Sequence, residues 1–240
     1  MLADKATNPE QYDSPEMNWQ ILGAEEARQY FRDELDVFVE SGLLEGKKVL
    51  DIGSGTGQLF NWLKQKGASS VTGIDPATKN IAISTEKYPW ATSIVATLSD
   101  FAKNSTETFD LAIAILVFEH IQDLNTAFRD VNRLLENKGR FYLFICDKDF
   151  SLSNDKELRS ARTESAEIVK DLGDGAVEVK TIRDLVDGSQ SVMYDIFRPL
   201  ESVKLAAKTS GFKLLAEKPL MSPTSVPVPM MYVLGFEKAQ

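Results

Sequence analysis

The run Val49-Leu50-Asp51-Ile52-Gly53-Ser54-Gly55-Thr56-Gly57 sets a carboxylate near the end of an apolar stretch and follows it with three alternating glycines. Glycine is required where a backbone must take positive φ or touch a ligand closely, so this strand, turn and helix start reads as a ligand cradle. A phosphate-binding P-loop needs Gly-Lys-Ser/Thr, which does not follow. The dinucleotide fingerprint G-x-G-x-x-G wants Gly or Ala at its sixth position, where Gln58 stands, and the third glycine comes one place early at Gly57. Asp75 closes a second apolar run, Thr72-Gly73-Ile74-Asp75-Pro76, about twenty residues on, the offset at which an acid accepts hydrogen bonds from two ribose hydroxyls. An N-cap for the helix after Pro76 explains the same residue. Asp100, in Leu98-Ser99-Asp100-Phe101, is expected to end the third strand. A fourth run, Phe109–Leu116, leads into Val117-Phe118-Glu119-His120 at the sheet edge where open α/β folds bind ligands. His120 is the chain's one histidine. Imidazole ordinarily titrates near neutrality, which suits a general base, while a surface or capping histidine accounts for the position as well.

Asp51-x-Gly53-x-Gly55-x-Gly57 resembles motif I of class I S-adenosylmethionine-dependent methyltransferases. The resemblance implies that Gly53, Ser54, Gly55 and Gly57 pass beneath the methionyl part of S-adenosylmethionine. Asp51 then joins a polar network near its amino group, and Asp75 and Pro76 take the ribose. Asp100 would accept from the adenine amine with Phe101 against the ring, unless Asp100 is only a polar strand end. Leu116 would lie along the cofactor. The stretch 115–118 is similar to that of enzymes acting on quinones and related metabolites, and it lacks the Pro-Pro-aromatic signature of nucleobase methyltransferases. In quinone O-methyltransferases a Glu-x-x-Glu-His cluster binds a divalent metal. Leu116 replaces the first glutamate here, so no metal is expected. In relatives the N-terminal segment often folds over the cofactor, which makes Tyr12 and Trp19 candidates for a lid over the acceptor. Tyr194, Phe197 and Arg198 are candidates to line the acceptor pocket, or alternate in a packed hairpin.

Methyl transfer from a sulfonium is an in-line displacement with a neutral leaving group. The protein mainly has to align the nucleophile and exclude water, and a base is needed only if the acceptor arrives protonated. The expected function is methyl transfer to an O or N nucleophile of a small-molecule acceptor. The alternatives are a nicotinamide-dependent oxidoreductase, a protein methyltransferase and an inactive cofactor-binding module.

These residues need a scaffold that ends several strands at one edge. Lys48–Ile52, Ser70–Ile74, Ser93–Leu98, Phe109–Leu116 and Arg140–Cys146 read as buried strands, with helices at Leu59–Lys66 and Leu124–Leu135 between them. The alternation predicts an α/β, Rossmann-like, doubly wound fold: a mostly parallel seven-stranded sheet with an antiparallel last strand. Glu25–Val39 and Pro199–Thr209 read as helices, and Lys213–Leu220 and Met230–Glu237 as closing strands. The stretch 148–198 is too long for a simple connection. It is expected to hold a helix at Glu157–Lys170 and a hairpin, Ala176–Thr181 with Ser189–Ile196, turning at Asp187-Gly188. The implied division is 1–46 as a helical lid segment, 47–147 as the cofactor-binding half, 148–198 as a substrate-capping insertion, and 199–240 as the closing helix and strands.

Composition agrees. The 240 residues are 43% hydrophobic and carry a net charge of −9, which disfavours a nucleic-acid partner. Cys146 is the one cysteine, so no intrachain disulfide forms, and it sits in a buried strand run. No apolar stretch is long enough to span a membrane, and the N-terminus is too charged for a secretory signal, so a cytoplasmic protein is expected. The oligomeric state is not legible.

Overall fold

The computed structural model describes residues 6–12, 24–153, 155, 164–184, 190–222 and 228–239. Its seven-stranded sheet is built from β1 (Lys48–Ile52), β2 (Ser70–Asp75), β3 (Thr92–Val95), β4 (Phe109–Ile115), β5 (Leu135–Cys146), β9 (Phe212–Met221) and β10 (Pro229–Lys238). The order is β3-β2-β1-β4-β5-β10-β9. The first five run parallel, and β10 enters antiparallel between β5 and β9. Chain order reverses between β1 and β4, and a crevice at such a switch point is where open α/β sheets hold ligands.

The central strands β1, β2 and β4 are buried on both faces, and period-two alternation sorts their side chains and those of β5. From β4, Ala112 and Ala114 join one core and Leu111 and Ile113 the other; from β5, Phe141, Leu143 and Ile145 face one side, Tyr142 and Phe144 the opposite one. Helices α1 (Ala24–Phe38) and α2 (Phe60–Gln65) cover the second face, with Tyr88 just past α3 (Thr78–Lys87). On the first face lie α4 (Leu98–Asn104), α5 (Leu124–Leu134) and α7 (Leu200–Thr209), past the short α6 (Lys148–Leu152). Phe118, Phe128, Phe141, Phe212 and Phe236 form one aromatic cluster there, with ring centroids 5.1–6.3 Å apart across the face's aromatic pairs.

Two expectations are corrected. The expected hairpin is present as β7 (Ala176–Asp184) paired antiparallel with β8 (Gln190–Phe197), but a third strand, β6 (Glu164–Gly173), pairs with β7 where the end of a helix was expected. Of the expected helix Glu157–Lys170, residues 164–170 are strand and the rest lies outside the described residues, as does the Asp187-Gly188 turn. The sequence there is rich in helix formers, but pairing of Ala166 with Thr181 and Ile168 with Val179 overrides local preference. Strand β3 ends at Val95, and Asp100 lies in the first turn of α4 rather than at a strand end. Thr97 is the reason: its hydroxyl accepts from the Asp100 backbone N–H at 3.1 Å and donates to the Asp100 carboxylate at 2.7 Å, a reciprocal N-cap.

Candidate active site

The glycine loop leaves β1 and is stitched to β2, with the N–H groups of Gly53 and Ser54 both donating to the Ile74 carbonyl at 2.8 and 3.0 Å. Gly53, Gly55 and Gly57 take φ of +67°, +52° and +79°. A Cβ at Gly53 would fall 2.3 Å from Val117, and one at Gly57 would fall 2.7 Å from Tyr88. At Gly55 the nearest atom would be 3.9 Å away, so that residue is glycine for its backbone and borders open space. Two of the three glycines therefore permit packing, and the middle one leaves room beside the loop.

Two carboxyl groups lie under this loop. Asp75 is 8% exposed, and it accepts from Gly55 N–H at 2.9 Å and Ala77 N–H at 2.8 Å. It thereby ties the loop to the start of α3, combining the ligand-facing position with the capping one. Asp51 is 3% exposed, and burial together with the Asp75 carboxylate pushes its carboxyl up to about 8. Pro76 is half-buried beside them, while Asp100 is exposed and Phe101 is packed in the core against Phe109.

The end of β4 faces the loop across the switch point. Leu116 takes a left-handed backbone, φ +55°, which costs a non-glycine residue about 1–2 kcal/mol and is a kind of strain that gathers at functional sites. The turn Phe118–His120 follows at once. Glu119 accepts from the Cys146 backbone N–H at 2.7 Å through Oε1, while Oε2 is buried with no hydrogen-bond partner among the described residues. Burial raises the Glu119 carboxyl above its usual range. His120 stands with Nε2 3.7 Å from Asp195 Oδ1 on β8, and Tyr12 meets its ring edge-on at 5.1 Å. The phenol of Tyr12 is held well above its ordinary value by burial and by the charges of Asp195, Asp75 and Glu119. Those four groups and His120 therefore converge on one place.

The N-terminal segment reaches this place by latching onto the insertion. Ala6 N–H donates to Glu178 at 2.9 Å, and Tyr194 N–H donates to the Gln11 side chain at 3.1 Å. Trp19 lies outside the described residues. Tyr194 is half-buried, and Phe197 packs in the insertion's own core with Val177 and Val179. Arg198 is turned to a different task from lining a pocket. It is 7% exposed, and its guanidinium donates to the carbonyls of Phe118 at 3.1 Å, Gln122 at 3.0 Å and Ile121. It clamps the turn that carries His120 to the end of β8. Replacement of Arg198 by methionine is expected to cost about 2–4 kcal/mol, lowering the thermal midpoint by roughly 5–15 °C, because several buried carbonyls lose a charged donor. Calorimetric melting checks this, and an unchanged midpoint would show that the clamp carries no stability. Asp195 and Thr181 were not expected at the site. The β7–β8 hairpin sets them side by side, and only its docking against the distant turn at His120 brings them to the site.

Among the described residues no three His, Cys, Asp or Glu side chains are grouped to hold a metal. The buried acids and the open space beside Gly55 suit a cationic, ribose-bearing cofactor.

Residues 24–216 match the family model described as a methyltransferase domain. A mitochondrial ubiquinone biosynthesis O-methyltransferase of Bos taurus is 32% identical over 112 residues, which are 44% of this chain and 30% of that protein. The Pseudomonas aeruginosa ubiquinone biosynthesis O-methyltransferase is 35% identical over 112 residues, 44% of this chain and 47% of its own length. The chain thus spans less than half the length of these relatives. Among solved structures, an S-adenosylmethionine-dependent methyltransferase from Clostridium acetobutylicum superposes with a TM-score of 0.69 at 16% identity, over 92% of this chain and 96% of that one. Magnesium protoporphyrin IX methyltransferase from Synechocystis, solved with S-adenosylmethionine bound, gives 0.65 at 16% identity over 100% and 99%. With its glycine loop, strand order and family match in agreement, the chain belongs to the methyltransferase-domain family.

Proposed function

We propose that this protein transfers a methyl group from S-adenosylmethionine to an oxygen or nitrogen nucleophile of a small molecule. The observation that carries the reading is the left-handed glycine loop lying over the buried carboxyls of Asp51 and Asp75 at the switch point. Two acids beneath a loop suit a ligand with a ribose and a positive charge, beside which the Asp51 carboxyl can ionise. Similarity to ubiquinone biosynthesis enzymes and the net charge of −9 support a small acceptor over nucleic acid.

When bound, the cofactor supplies an electrophilic methyl group that needs no activation. In this proposal Asp75 and the loop N–H groups fix the ribose and methionyl portions, and Asp51 faces the ammonium. The strained Leu116 backbone and the segment 6–12 shape and close the cavity, keeping water out. His120 takes the acceptor's proton, and the insertion, 148–198, caps the acceptor.

Calorimetry tests this with a signature beyond binding itself. S-adenosylmethionine and its demethylated product should bind, and NAD should not. Asp51 is protonated in the free chain at pH 7, because its carboxyl is raised to about 8. A cation beside it favours the ionised form, so binding should release up to about one proton at pH 7 and almost none above pH 9. The same shift makes the free fold lose stability as pH climbs from the ordinary carboxylate range towards 8. Measurement in two buffers of different ionisation enthalpy reads the proton directly, and Asp51→Asn should abolish the release. NAD binding with no response to S-adenosylmethionine would overturn the reading.

A further inference from the structure

His120 lies in the turn after β4 and Asp195 on β8 of the smaller sheet, and the chain fixes both ends of the contact between them. Asp195 is buried on β8, and its Oδ2 accepts from the Thr181 hydroxyl at 2.9 Å from the neighbouring β7. Its Oδ1 is thereby aimed at His120 Nε2, 3.7 Å away. His120 is held by the edge contact with Tyr12 and by the Arg198 clamp on the carbonyls of residues either side of it. The other ring nitrogen, Nδ1, is buried and has no hydrogen-bond partner among the described residues. A buried ring nitrogen left in that state is a cost unless something arrives to use it. Catalytic hydrogen bonds are commonly long in the free protein and tighten in the complex.

We propose that Asp195 is the positioning residue for His120, holding the neutral imidazole as its Nε2–H tautomer so that the Nδ1 lone pair receives the acceptor's proton. The inference rests on the methyltransferase reading of this same site. The acceptor's nucleophilic atom forms a bond to the methyl carbon, and the carbon–sulfur bond breaks with its electron pair staying on sulfur. The acceptor's proton passes to Nδ1. The imidazolium so formed lies against the Asp195 carboxylate, and its charge is offset there. The titratable groups facing the ring are Asp195 from β8, Tyr12 from the N-terminal segment and Glu119 from its own turn. On the far side, Cys146 of β5 reaches Glu119 through its backbone N–H.

One histidine in the chain makes the tautomer directly observable, because every imidazole signal in a ¹⁵N spectrum belongs to His120. The full-length chain should show the Nε2–H form at a pH where the ring is neutral. In Asp195→Asn the amide can donate to Nε2, which should shift the ring to the Nδ1–H form. Turnover should then fall roughly 10²–10⁴-fold, with S-adenosylmethionine affinity held within about twofold. Asp195→Glu should restore the Nε2–H form. Thr181→Val keeps the carboxylate and removes only its anchor. It should give a mixture of tautomers and an intermediate rate, and it serves if Asp195→Asn does not fold. An Nδ1–H ring in the unsubstituted chain, or a tautomer indifferent to residue 195, would overturn the proposal. Failure of the cofactor reading registers separately, as loss of S-adenosylmethionine binding in calorimetry while the imidazole signals remain readable.

Discussion

Replacement of His120 by alanine is expected to lower turnover roughly 10²–10⁴-fold with an acceptor that carries a hydroxyl or ammonium proton. The reason is position. His120 follows the strand whose end faces the glycine loop across the switch point, and no second histidine exists to take its place. Its ring is braced by Tyr12 and Asp195, which would present it to an acceptor in a fixed orientation. Cofactor affinity should change little, because the loop and the acids beneath it sit on β1 and β2. Steady-state kinetics with a phenol or amine acceptor, alongside calorimetric binding, separates the two quantities. A full-rate mutant on such an acceptor would remove His120 from proton transfer.

Asp75→Ala should weaken S-adenosylmethionine binding by about 2–4 kcal/mol, roughly 30- to 1000-fold, through loss of two charge-assisted hydrogen bonds to the ribose. A second loss has a separate origin. Gly55 N–H and Ala77 N–H both donate to this carboxylate, so the alanine variant leaves two backbone donors without an acceptor. The fold should remain, with a thermal midpoint lower by several degrees. Asp75→Asn retains an acceptor oxygen for these donors and loses the charge, so it should recover stability more fully than affinity. Affinity within twofold of the unsubstituted chain would reduce Asp75 to a loop fastener.

Much of the scaffold was readable because its determinants are local. The apolar runs around Val49, Val71 and Ile113 and the helical stripe from Leu124 to Leu134 each announce themselves within a dozen residues. The glycine loop is equally local, and so was the signal that places Asp100. Thr97-x-x-Asp100 is a helix-start pattern, and reading it would have ended β3 earlier. The insertion was harder. Glu164–Lys170 has helix-forming composition, and only its partner strand makes it extended. The site fared in the same way. His120 was visible as a lone imidazole past a strand end, whereas Asp195 was not, because its contact with that turn spans 75 positions and joins the smaller sheet to it. Arg198 likewise reads as a pocket charge until its carbonyl partners are seen.

The separate three-stranded sheet bears on how this chemistry can be altered. In the proposed reading, the segment that would hold the methyl donor and the one that would tune the base are distinct stretches of chain, which meet at His120 and at the Arg198 clamp on the turn around it. Substitutions within β7 and β8 can re-aim Asp195, reshape the acceptor's surroundings or withdraw the imidazole's partner, while the strands beneath the glycine loop stay as they are. On the proposed reading, acceptor choice and basicity would then be adjustable together and independently of cofactor affinity. A chimaera exchanging residues 164–197 between two such proteins would carry both properties with it.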